Sequence, residues 1–93
     1  MKTQELKEMN ELMKSLEQDI LEMQQWNEKL KIIAQKKEQL DRFYEEKWMN
    51  YYDEAEQYND ENLEILNQDS LWNALSDTDI EARDLVKNVV NLL

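Results

Sequence analysis

The sequence predicts an all-α protein, and three observations carry that prediction. The 93 residues include no glycine and no proline, which removes the usual makers of tight turns and helix stops. Strong helix formers (Glu, Leu, Lys, Gln and Met) dominate the chain. Apolar residues recur at alternating three- and four-residue steps, the spacing of one helix face. The expected architecture is a long N-terminal amphipathic, coiled-coil-like helix with two or three short C-terminal helices packed back on its aromatic half. Residues 1–93 would form a single helical domain, with 1–42 as a coiled-coil-like arm and 43–93 as an aromatic, acidic core.

The arm is read from Leu6, Met9, Met13, Leu16, Ile20, Met23, Asn27, Leu30 and Ala34. These positions make an a/d heptad seam, with Asn27 at an a position, where one polar residue fixes register and partner number at some cost in stability. From Trp26 the apolar face widens through Leu30, Ile33, Leu40 and Phe43 or Tyr44, and Lys37 can snorkel beside it. A strict seam would place Lys37 and Asp41 in the core, so the stripe drifts around the helix as a 3.6-residue period does against 3.5. No breaker interrupts Thr3 to Gln57, and a continuous helix of that length would measure about 80 Å. The competing reading breaks the helix near Trp26–Glu28 and closes a compact monomeric bundle. An uncovered seam otherwise predicts a homodimer.

The stretch Phe43–Tyr58 holds six of the eight aromatic residues. Tyr44, Trp48, Tyr51, Ala55 and Tyr58 share one helical stripe; Tyr44, Trp48 and Tyr51 are expected to be core, whereas Tyr52 and Tyr58 are expected to keep their hydroxyls at the surface. The opposite face and the segment after it are acidic: Glu45, Glu46, Asp53, Glu54, Glu56, Asp60, Glu61 and Glu64.

Asn59-Asp60-Glu61-Asn62 is the first turn signal, with Asn59 or Asp60 capping a short helix through Leu63, Ile65 and Leu66. Asp69 or Ser70 would cap Leu71–Leu75, and Ser76-Asp77-Thr78 would end it. Thr78 with Glu81 fits a capping box. The last helix then presents Ala82, Leu85, Val86, Val89, Val90 and Leu93 on one face. It is too short to be stable alone, and the aromatic stripe is its expected partner.

Residues 40–90 resemble a family of small uncharacterised proteins from Gram-positive bacteria. Phe43-Tyr44 is similar to that family's aromatic pair at the end of a long helix. Trp48-Met49 is similar to its Trp-Met, and Ile65–Leu75 to its final Val-Leu-Ser-Glu-Asp-x-x-Tyr-x-Leu-Leu motif. Glu45-Glu46 and Glu64 stand near positions where the family places glycine. The resemblance implies a helical fold and no particular activity.

Composition excludes much chemistry. There is no cysteine and no histidine, hence no thiolate, no zinc–sulfur site and no imidazole base or ligand. Asp77-x-Asp79-x-Glu81 has the alternation of a calcium loop, but Ala82 stands where glycine is needed and Asn88 where an acid is needed. Helix capping accounts for the same residues. Dimetal carboxylate helices pair glutamates with histidines, which this chain lacks. No cofactor, catalytic group or metal site is expected, and no apolar segment resembles a signal peptide or membrane span. A cytoplasmic protein is expected.

The formal net charge is -11. Residues 1–47 carry nine basic and eleven acidic side chains, and residues 48–93 carry two and eleven. From Trp48 to Ala82 there are ten carboxylates and no base. Such a field repels nucleic acid and anionic membranes and attracts a basic protein surface. Two functions fit: a non-enzymatic interaction module that self-associates and binds a basic partner, or an acidic mimic of nucleic acid that inhibits a DNA-binding protein, such as a phage-encoded inhibitor of a defence nuclease.

Overall fold

The computed structural model describes residues 2–57 and 63–93, and the expectations placed on Tyr58, Asn59, Asp60, Glu61 and Asn62 lie outside the described residues. The described residues are almost wholly helical and include no strand. Helix α1 runs Lys2–Phe43, a π-helical turn occupies Tyr44–Trp48, and α2 continues over Met49–Asp53. A 3₁₀ turn at Glu64–Leu66 precedes α3, Gln68–Leu92. The long N-terminal helix is therefore present, and it passes through Trp26–Glu28 without the break that a compact bundle would need. The chain divides into two compact units, Met1–Gln35 and Lys36–Leu93.

The first unit is α-helix throughout its described length, about 50 Å at 1.5 Å per residue. Its side-chain pairs include Gln4 Nε2 donating to Glu8 at 3.3 Å and Lys31 with Glu28 at 3.0 Å. Both lie at helical spacing and in solvent, where each adds only a few tenths of a kcal/mol.

The second unit has a small core built on Trp48, which is 2% exposed, and Leu71, which is 3% exposed. Trp48 Nε1 donates to the Ile65 carbonyl oxygen at 2.8 Å, so the indole buries its ring and satisfies its only donor. Leu40, Phe43, Tyr44, Ile65, Leu66 and Leu75 are half-buried around this pair. The Tyr44 hydroxyl accepts from Gln68 Nε2 and Trp72 Nε1, each at 3.3 Å. The Trp72 ring meets Tyr44 edge-on at 6.3 Å, and Tyr52 stacks on Trp48 at 4.8 Å.

The π turn lies where this aromatic column forms. Wider turns of this kind accommodate an extra residue and re-aim the side chains that follow. Here Tyr44, Trp48 and Tyr52 are in line at i, i+4 and i+8, and Tyr51 turns instead toward Phe43 at 5.7 Å. Tyr51 was expected in the core and is 41% exposed, and the re-aimed turn is the reason. Tyr52 is exposed, as expected.

The C-terminal part differs from the expected run of short helices. Ser76-Asp77-Thr78 is interior to a single 25-residue helix, not a break. Thr78 Oγ1 donates to the Ala74 carbonyl oxygen at 2.7 Å, a back-bond that spends the hydroxyl within the helix instead of on a cap. The capping box with Glu81 is thereby absent. The helix starts earlier than expected: Asn67, with ψ 112°, is its N-cap. Its side-chain oxygen accepts from Asp69 N at 3.0 Å and Ser70 N at 3.2 Å, satisfying two of the free donors at a helix start. Asp69 adds a negative charge in the first turn. The aromatic column is covered by Ile65 and the first two turns of α3, not by the expected last helix, whose Leu85, Val86, Val89 and Val90 are exposed.

Candidate interaction surfaces

Two surfaces hold the site residues that the sequence singles out, and a third lies beside the aromatic core. The first is the apolar seam of the first unit. Leu6, Met9, Met13, Leu16, Ile20, Met23 and Leu30 are all exposed, from 70% at Leu6 to 36% at Met23. Asn27 and Ala34 are exposed beside them. α1 presents these side chains in one stripe because heptad steps return each to nearly the same face. Trp26 is 57% exposed, one position before Asn27 and flanking the stripe. Leu12 flanks it in the same way and was not singled out by a strict a/d reading, although its spacing of seven from Asp19 and fourteen from Trp26 marks that flank.

The second surface is acidic. Glu45, Glu46, Asp53, Glu54, Glu56 and Glu64 are exposed, and Asp60 and Glu61 lie outside the described residues. Glu45 and Glu46 lie in the π turn, and Asp53 and Glu54 at the end of α2. Tyr52, Asp53, Glu54, Ala55, Glu56 and Gln57 line a shallow open hollow where α2 gives way to a 3₁₀ turn at 55–57. The Gln57 amide donates to the Glu54 carbonyl oxygen at 3.0 Å there. The hollow gathers three of the predicted carboxylates, whereas Glu45, Glu46 and Glu64 lie outside its lining. Among the described residues no three carboxylates are grouped as metal ligands. Asp77, Asp79 and Glu81 sit on helix, not on a loop that could wrap a calcium ion, and Asp79 pairs with Arg83 at 3.1 Å.

The third surface was not legible in the sequence. It is a groove of about 330 Å³ within the second unit, lined by Lys37, Asp41, Tyr44, Leu71, Trp72, Leu75, Ser76 and Asp79. Lys37 and Asp41 are half-buried at its wall, which explains how they stand at seam positions without entering a core. The groove combines one ammonium, two carboxylates and two aromatic rings.

Among the described residues no helix is long and apolar enough to cross a membrane. No family model, curated protein or solved structure matches the chain.

Proposed function

We propose that this chain is a non-enzymatic protein–protein interaction module. It self-associates through the N-terminal seam and offers its acidic segment to a basic surface on a protein partner. The observation that carries the reading is the exposed seam. A helix draws most of its stability from packing an amphipathic face, and the first unit leaves seven large apolar seam residues in water. A contiguous apolar stripe of that kind marks an interaction site. The absence of histidine and cysteine supports the non-enzymatic part, and a cytoplasmic location belongs to the same sequence-based reading.

The acidic segment supports the second half. All eight of the described carboxylates between Trp48 and Ala82 are exposed, with no base among them. Mimicry of a nucleic-acid backbone is the second reading, favoured by that one-signed run. Affinity capture from the host cell at low and high salt separates the two. Any partner held by the acidic face is lost as salt rises, and a mimic's target is in addition displaced by added DNA. A partner held by the seam survives salt and is lost on Leu16→Asp or Ile20→Asp. Reversing charge at Asp53, Glu54, Glu56, Asp60 and Glu61 abolishes acidic-face binding. Capture that survives both sets of substitutions contradicts the proposal.

A further inference from the structure

We infer that the seam takes a second copy of this chain, running parallel and in register. The inference rests on the self-association proposed above and adds the orientation, which charge placement on the helix decides. The a positions are Leu6, Met13, Ile20 and Asn27, and the d positions Met9, Leu16, Met23 and Leu30. The g positions flanking them are Glu5, Leu12, Asp19 and Trp26, and the e positions Asn10, Glu17, Gln24 and Lys31. All of these residues are exposed on α1 and able to meet a second helix.

In a parallel pair each g residue meets the e residue five positions on in the other copy. Glu5 then meets Asn10, and Leu12 meets Glu17. Asp19 meets Gln24, and the Trp26 ring meets the Lys31 ammonium, a cation–π arrangement. No pair brings like charges together. Asn27 lies opposite its own counterpart, so each buried amide has a hydrogen-bonding partner. Lys31 has an alternative in Glu28 at 3.0 Å, but that pair is solvent-exposed and weak.

The antiparallel arrangement fails on the same residues. Overlapping Leu6–Leu30 would align Leu6 with Leu30 and Leu16 with Ile20 of the other copy. Asn27 would then be buried against Met9, or against Leu16 when the overlap runs Met9–Ala34, and in both registers its amide lacks a partner, which is unfavourable. Antiparallel helices also place g beside g and e beside e. In the Leu6–Leu30 register Asp19 would face its counterpart at the centre of the seam, and Glu17 would do so on the other side. Both contacts are repulsive.

The chain has no cysteine, so single thiols can be introduced without background. Met9→Cys and Met23→Cys place one thiol at each end of the seam, and Gln18→Cys places one on the opposite side of the helix as a control. Each full-length variant is oxidised separately with oxidised glutathione, after circular dichroism shows wild-type helicity, and run on a non-reducing gel. The parallel, in-register pair gives a covalent dimer from both seam variants alone, at least about tenfold faster than from the control. Seam variants that alone cross-link no faster than the control, with wild type still sedimenting as two chains, overturn the orientation and leave self-association standing, and covalent dimer on mixing Met9→Cys with Asn27→Cys then identifies the antiparallel Leu6–Leu30 register. Wild type sedimenting as one chain overturns both.

Discussion

Trp48 holds the second unit together at a single atom as well as through its ring. Its buried indole donates to the Ile65 carbonyl oxygen at 2.8 Å, tying the π turn to the 3₁₀ turn that leads into α3. Trp48→Ala should cost about 3–5 kcal/mol in urea unfolding of the full chain, the range for truncating a buried aromatic. Trp48→Phe keeps most of the ring but leaves the Ile65 carbonyl without its donor, and should cost about 1–3 kcal/mol. At Asn67 the side chain caps α3, so Asn67→Ala should lower stability by about 1 kcal/mol in the same assay. Trp48 was legible in the sequence, because it sits between Tyr44 and Tyr51 in a stripe of helical spacing. Asn67 was less so, since Asn67, Asp69 and Ser70 are all good caps. What selects among them is the extended backbone at Asn67, not its identity.

At the scale of elements, the sequence supports the helical class throughout, because neither glycine nor proline supplies a strong stop. It places boundaries less well. Ser76-Asp77-Thr78 reads as a turn because these side chains compete for backbone groups, yet Thr78 bonds back within the helix and α3 continues. Asp77→Pro tests the difference. A proline inside α3 removes a backbone hydrogen bond and collides with the preceding turn, and should cost about 3 kcal/mol or more. In a turn just before a new helix it would be tolerated, and unchanged unfolding would contradict the continuous helix. The π turn had no sequence signature. It accompanies tertiary contacts (Trp48 with Ile65, and Tyr44 with Gln68 and Trp72) whose partners lie 17 to 28 residues away. The groove beside Tyr44 was illegible for the same reason, since its two walls come from distant segments.

For the whole molecule, the decisive features are an exposed apolar seam and an uneven charge, both readable from residue spacing and type. The seam was visible as a heptad pattern, and the structure leaves it exposed on an unbroken helix. The acidic residues were visible as a run without bases, and among the described residues Asp53, Glu54 and Glu56 come together in one hollow. Charge reversal there should weaken a basic partner strongly at low salt and little at high salt, because exposed charges are screened. The same substitutions should leave self-association unchanged, since the seam residues lie in the other unit. Sedimentation equilibrium on wild type and Leu16→Asp, over a range of concentrations, decides whether the seam self-associates. Self-association through the seam gives a wild-type mass near twice the single chain's 11.4 kDa, falling to the single-chain mass in Leu16→Asp. A wild-type mass of 11.4 kDa at every concentration would contradict it.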